Sequence, residues 1–146
     1  MTDNQLYAHR WLSRMWFIDQ ELEQLIIRRD TIISSLSGIS HYDSEFIPTQ
    51  TGENGTESKN IEYSVLSEQI EKKLNNLAQE NVRTLETIDK VQDAMLRGML
   101  KARYINRRTW SQIGKDYSYE RSRIFDYRKI ALDAVSEFIP KGEVEL

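Results

Sequence analysis

Trp11, Ile18, Leu25 and Ile32 recur every seven residues, and Met15, Leu22 and Leu36 follow four residues later in three of those heptads. Only a helix turns that spacing into one continuous apolar stripe. Thr2 and Gln5 have the S/T-x-x-E/Q pattern of a capping box, so the helix is predicted to begin there. It is predicted to run to about Leu36, with Gly38 as the C-terminal break. Arg29 interrupts the stripe, and Leu12, Ile26, Ile27 and Ile33 widen it beyond a two-position seam. A helix of this kind cannot hide its apolar surface alone, and the width implies packing against more than one partner surface.

From 37 to 60 the composition changes: Gly38, Pro48, Gly52 and Gly55 are scattered among Ser, Thr, Asn and Glu, which reads as a flexible linker. Phe46-Ile47-Pro48 is its apolar spot, read first as part of a flexible loop and second as a docking segment. Such a linker could span up to ~80 Å, against ~50 Å for the first helix, so either an antiparallel or a parallel return is open. A second long helix is predicted over 61–92, with Asn60 as its cap and Leu66, Ile70, Leu74, Leu77, Leu85 and Ile88 as its stripe. Met95 and Met99 extend the stripe, and Asn81 and Gln92 fall on or near it. No proline separates this helix from the segment that starts at Asp93, so one continuous helix through both is open. Two helices of this length bury little core by themselves, which favours a homodimer.

The segment 93–139 is patterned differently. Thr109 and Gln112 form a second capping box, with Trp110, Ile113 and Tyr117 on one face of a two-turn helix. Gly114 beside Ile113 would let another helix come close. After a polar turn at 116–119, apolar residues resume at Ile124, Tyr127, Ala131, Leu132, Val135 and Phe138 with helical period, and Pro140 is the expected stop. A short helix, a tight turn and a longer helix make a helix-turn-helix. The first turns of its last helix would then expose Arg121, Ser122, Phe125, Asp126 and Lys129, with Arg123 and Arg128 on the flanks, where a recognition helix meets bases and phosphates. Within 97–129, ten Lys and Arg face three Asp and Glu, a local charge of +7 in a chain whose net charge is −3. Residues 1–92 carry −6. Affinity for a polyanion depends on this local excess and not on the total.

Arg103-Tyr-Ile followed by Thr109-Trp-x-Gln-Ile-Gly, and Arg121-x-Arg-Ile followed by Ala131-Leu, resembles region 4 of the sigma-70 family. The likeness is greatest to the small ArpU/RinA-like late-gene regulators encoded by phages of Gram-positive bacteria. The motif covers about the last third of the chain; the long helical N-terminal half is similar only in layout. Glu120 stands where such helices usually carry Ser or Thr as N-cap, and Phe125 and Asp126 replace commonly polar or basic positions. The resemblance implies binding to double-stranded DNA and, through the helical half, a possible surface for host RNA polymerase.

Other classes find little in the residues. There is no cysteine, so no disulfide or thiolate metal site, and a reducing bacterial cytoplasm is the natural compartment. No apolar run approaches the ~20 residues of a membrane span. His9 and His41 are far apart and lack metal-ligand spacing, and Gly52-Glu-Asn-Gly55 lacks the lysine and strand context of a phosphate loop. No catalytic, metal or cofactor site is expected, and no enzyme activity.

The fold expected is all-α: a long N-terminal helical hairpin or coiled coil (1–36 and 61–92, joined by 37–60), then a trihelical sigma region-4-like helix-turn-helix at 93–139 and a tail at 140–146. The function expected is a sequence-specific transcriptional regulator, with Arg121, Ser122, Phe125 and Asp126 toward bases and Arg107, Arg108, Lys115, Arg123, Arg128 and Lys129 toward phosphates. Two alternatives are a helical adaptor that binds RNA polymerase or another phage protein without touching DNA, and a small-terminase-like packaging protein.

Overall fold

The computed structural model describes residues 1–46 and 49–145, and side chains outside 37–54. Ile47, Pro48 and the side chain of Phe46, the apolar spot of the expected linker, lie outside the described residues. The described structure is all-helical, with 82% of the chain in helix and no strand among the described residues. It comprises α1 (Asp3–Phe46), α2 (Thr49–Asp89), α3 (Ala94–Leu100), a π-helical stretch (Lys101–Ile105), α4 (Trp110–Asp116) and α5 (Arg121–Ser136). No helix among the described residues is long and apolar enough to cross a membrane.

The first capping box forms as its spacing requires. The Gln5 amide donates to Thr2 Oγ1 at 3.2 Å and the Thr2 amide donates to Gln5 Oε1 at 3.0 Å. The far end of α1 differs from expectation: the helix passes Leu36 and Gly38 and continues to Phe46, and α2 begins at Thr49 and not near Ile61. The linker expected over 37–60 therefore carries helical backbone at 37–46 and 49–60. A glycine inside a helix costs only about 1 kcal/mol and removes no hydrogen bond, so Gly38, Gly52 and Gly55 bias the chain against helix without forbidding it.

α2 also stops short of the segment beyond it, which excludes the continuous helix. Lys90 and Val91 turn back with amides donating to Thr87 O and Ile88 O, and Val91 is buried. Arg97 Nη1 donates to the carbonyls of Val91 and Gln92 at 2.6 and 2.7 Å. Asp93 then caps α3, accepting from the Leu96 amide at 3.0 Å. A buried valine, a carbonyl-binding arginine and a fresh N-cap make the break without any proline.

The chain divides into two units, Ile18–Leu77 and Met1–Phe17 with Ala78–Leu146, and α1 and α2 each contribute to both. In the first, Glu21 accepts from Lys73 at 2.6 Å, Arg28 forks onto Glu62 at 2.8 and 3.1 Å, and Lys59 reaches Ser35. Partner numbers fall along α2 as they rise along α1, so the two segments run antiparallel. Leu22, Ile32, Leu66 and Ile70 are buried there, whereas Ile27, Ile33 and Leu74, expected on the packing stripes, are exposed. Each helix of a two-helix pair covers one face, which is narrower than the stripe these sequences carry.

In the other unit, the amino-terminal part of α1 and the end of α2 share a core with α3, α4 and α5. Ala8, Trp11, Leu12, Ile88, Val91, Met99, Leu100, Tyr104, Ile113, Ile124, Leu132 and Val135 all belong to it. Arg14 donates to Glu80 at 2.6 Å and lies 3.7 Å over the Trp11 ring, while Trp11 Nε1 donates to Glu143 at 2.7 Å. The acidic tail is thereby tied to α1 and, through the pairing of Glu143 with Arg83, to α2. Trp11 is a core anchor, as its place in the heptad series implies.

Candidate nucleic-acid interface

α4 begins at a complete capping box: Gln112 N donates to Thr109 Oγ1 at 3.1 Å and Thr109 N donates to Gln112 Oε1 at 2.9 Å. This fixes the helix start, and Trp110 and Ile113 then point into the core. Tyr117, expected on the same face, is exposed and stacks on Tyr119 instead. The turn into α5 uses Ser118 at φ 58°, a left-handed conformation unusual for a residue with a side chain. Tyr119 N closes it by donating to Gly114 O at 2.8 Å.

α5 packs on both α3 and α4. Its buried side is Ile124, Ala131, Leu132 and Val135, a helical period that leaves the opposite side to solvent. Glu120 is its N-cap but makes no side-chain capping bond. The helix ends at Ser136, four residues before Pro140, because the chain turns to bury Ile139. Tyr7 Oη donates to the Pro140 carbonyl at 2.8 Å and holds that turn against α1.

Arg121, Ser122, Asp126 and Lys129 are exposed on the first turns of α5. Phe125 is half-buried, with the Arg121 guanidinium 5.5 Å from its ring centroid, so the aromatic is covered by the neighbouring cation and not free-standing. Arg123 is exposed and sits 4.5 Å over Tyr119, itself stacked on Tyr127 with ring centroids 5.1 Å apart. Its hydrogen bond to Tyr127 is the main cause that raises the Arg123 pKa. Among the described residues, Arg121, Arg123, Lys115 and Lys129 are in no ion pair with an acidic side chain.

Of the remaining expected phosphate contacts, Arg107 is exposed, Arg108 is paired and Arg128 is half-buried. Arg108 is committed to Asp116, donating from Nε and Nη2 at 2.8 and 2.9 Å. Arg107 has φ 60° and its guanidinium lies 5.8 Å from the Trp16 ring centroid. Arg128 does not stand on the flank of the outward face; it is half-buried on the core side of α5, with its Nε sealed from solvent. Its spacing of four from both Ile124 and Leu132 is the sequence signal for that inward direction.

The structure also gathers residues that the sequence does not group. Trp16 stacks on Tyr104 at 5.7 Å and donates from Nε1 to the Tyr104 carbonyl at 3.2 Å. His9 Nδ1 and Tyr104 Oη are 2.8 Å apart, and Arg103 lies 4.6 Å over Trp16. Burial is the main cause that pushes the Tyr104 phenol up to about 12, so it stays protonated at neutral pH. His9 and Trp16, seven residues apart, share a face of α1, but no spacing links them to Tyr104; only the fold brings it to them.

No protein-family model, curated protein or solved structure matches this chain.

Proposed function

We propose that this chain is a sequence-specific regulator of transcription that binds double-stranded DNA. In this reading α3, α4 and α5 act as a trihelical helix-turn-helix of the sigma region-4 kind, with α5 in the major groove. The antiparallel long helices are the hairpin that dimerises the protein or offers a surface to RNA polymerase, in the manner of a phage late-gene activator. One observation carries the reading: the first turns of α5 hold Arg121, Ser122 and Lys129 outward, with Arg121 and Lys129 unpaired by carboxylates among the described residues, while the core holds the helix from behind. Arg121, Ser122, Phe125 and Asp126 would face base edges, and Arg107, Lys115, Arg123 and Lys129 would face phosphates. Arg108 would join them on release from Asp116.

The test is selection of bound fragments from random-sequence duplex DNA at two salt concentrations. A recovered motif that survives the higher salt supports sequence-specific binding, because the nonspecific phosphate term weakens steeply with salt. A palindromic motif would report a dimer. Recovery of no motif at either salt would contradict the reading.

A second reading has its own support. Ile130 is exposed on α5 beside Asp126, an apolar and acidic pair more suited to a protein surface than to a phosphate backbone. Under this adaptor reading the protein binds polymerase or another phage protein without DNA. A packaging role of the small-terminase kind requires rings of many subunits, and the mass of the assembly in solution separates it from both.

A further inference from the structure

In the unit Ile18–Leu77 the polar contacts that tie α1 to α2 lie on one side of the helix pair. Glu21, Arg28 and Ser35, each seven residues from the next, meet Lys73, Glu62 and Lys59 there. Ile26 and Ile33 stand two residues before Arg28 and Ser35, about 160° around the helix from them, and so turn to the other side. On α2, Tyr63 and Leu74 follow Glu62 and Lys73 by one residue, about 100° further round. Because the helices are antiparallel, that rotation carries them to the same side as Ile26 and Ile33, and Ser67, seven residues before Leu74, joins them. Ile33 is 41% and Leu74 48% exposed, and Ile26, Tyr63 and Ser67 are half-buried. The pair thus has a polar, cross-linked side and an apolar side two helices wide.

The size and pattern of the apolar side indicate what covers it. Over residues 18–36 it is ~28 Å long and ~20 Å wide, on the order of 600 Å², which is what each partner gives up at the low end of a specific interface. Two antiparallel helices reach a closed core when a second pair stacks on them as a four-helix bundle. The charges on this side also match a reversed copy of themselves. Arg29, one turn from both Ile26 and Ile33, is half-buried and, among the described residues, in no ion pair. Exposed Glu23 and Glu71 border the side on α1 and α2. Ile26 is three residues from both Glu23 and Arg29, and Ser67 is four from both Tyr63 and Glu71. Ile26 and Ser67 both fall between the Glu21–Lys73 and Arg28–Glu62 pairs, so they stand at about the same level of the hairpin.

We propose that this side is the seat of a second copy of the chain, stacked face to face about a two-fold axis that crosses the helices at Ile26 and Ser67. The axis sets Arg29 of each copy against Glu23 of the other, and the Tyr63 phenol against the other's Glu71. It brings Ile33 level with the second copy's Leu74, since each lies seven residues from the centre. All neighbouring helices in the resulting four-helix bundle are antiparallel, and small Ser67 lets the copies come close at the crossing. The inference deepens the proposed function, resting only on its statement that the long helices dimerise the protein; it does not require DNA binding.

The test is the mass of the full chain in solution, from sedimentation over a range of concentrations, with circular dichroism to confirm that each variant keeps its helices. The expected result is a concentration-dependent dimer. Ile33→Glu and Leu74→Glu change positions exposed in the single chain, and each should weaken the dimer by about tenfold or more by placing a carboxylate in an apolar interface. Ile27→Glu, at a 50% exposed position on the outer side of α1, should leave it unchanged. Arg29→Glu and Glu23→Arg should each weaken the dimer, and the double variant should restore it. A parent that stays monomeric or forms rings of many subunits overturns the proposal. So does a dimer indifferent to Ile33→Glu and Leu74→Glu, or a charge reversal that does not recover in the folded double variant. A monomer that binds duplex DNA removes this interface and leaves the DNA reading; a dimer sensitive to these variants that binds no duplex removes the DNA reading and leaves the interface.

Discussion

A Cβ added to Gly114 would stand 3.4 Å from both Cβ and Cγ2 of Ile124, and 3.4 Å from the Tyr119 carbonyl oxygen. The absence of a side chain at Gly114 thus sets how closely α4 lies on α5. A single methyl fits at contact distance and gains helix propensity, so Gly114→Ala should change stability by no more than about 1 kcal/mol. Gly114→Val adds branches where backbone and Ile124 cannot yield, and should cost roughly 1–3 kcal/mol. Urea denaturation of the two variants measures the difference; equal stability would mean the helices are farther apart than described.

Thr109 closes its capping box by reciprocal bonds with Gln112. Thr109→Ala should cost about 1 kcal/mol, the usual worth of an N-cap, and Thr109→Ser should cost much less. Thermal unfolding of both variants checks this.

Arg108 and Asp116 hold each other through two hydrogen bonds. If α4 and α5 lie on DNA, Asp116 competes with phosphate for that guanidinium. Asp116→Asn should therefore tighten binding to any duplex, cognate or not, and steepen the dependence of log affinity on log salt by about one phosphate contact, roughly 0.9. Anisotropy titrations across a salt series give the slope, and an unchanged slope would leave Arg108 without a role at the backbone.

Glu143 links the acidic tail to Arg83 and Trp11, and these hydrogen bonds hold its carboxyl below the ordinary carboxylate range. The unfolded chain therefore takes up this proton first as pH falls. The contribution is complete above the unfolded carboxylate pKa of about 4.3 and is lost as pH falls through the lower folded value. Glu143→Gln should be less stable than the parent at neutral pH, and the gap should close on the acid side. Melting temperatures from about pH 3 to pH 7 test this; a gap independent of pH would assign the tail's contribution to packing alone.

Local patterns were legible in the sequence. Both capping boxes depend on residues three apart, and both form at the positions their spacing specifies. The close approach at Gly114 is also written in its neighbours, Ile113 and the period that leads to Ile124. The stretch 37–60 was misleading because composition measures reluctance to form helix, and reluctance of about 1 kcal/mol per glycine is not a break. Pairings that span separate elements were not legible: nothing in spacing predicts that Arg108 chooses Asp116 across a turn, or that His9 meets Tyr104 across 95 residues. Arg128 lies between these cases. Its basic character suggested the outward flank, while its distance from Ile124 and Leu132 placed it inward, and periodicity decided its direction because side-chain direction follows the helix and not the charge.

Whether the outward turns of α5 read DNA sequence rests first on Arg121. Arg121→Ala is compared with Lys129→Ala in anisotropy titrations on a selected motif and on an unrelated duplex of equal length. Arg121→Ala should lose about 1–3 kcal/mol on the motif and much less on the unrelated duplex, while Lys129→Ala should weaken both alike. Equal losses for Arg121→Ala on the two duplexes, or no binding of the parent protein to either, would contradict sequence reading by α5.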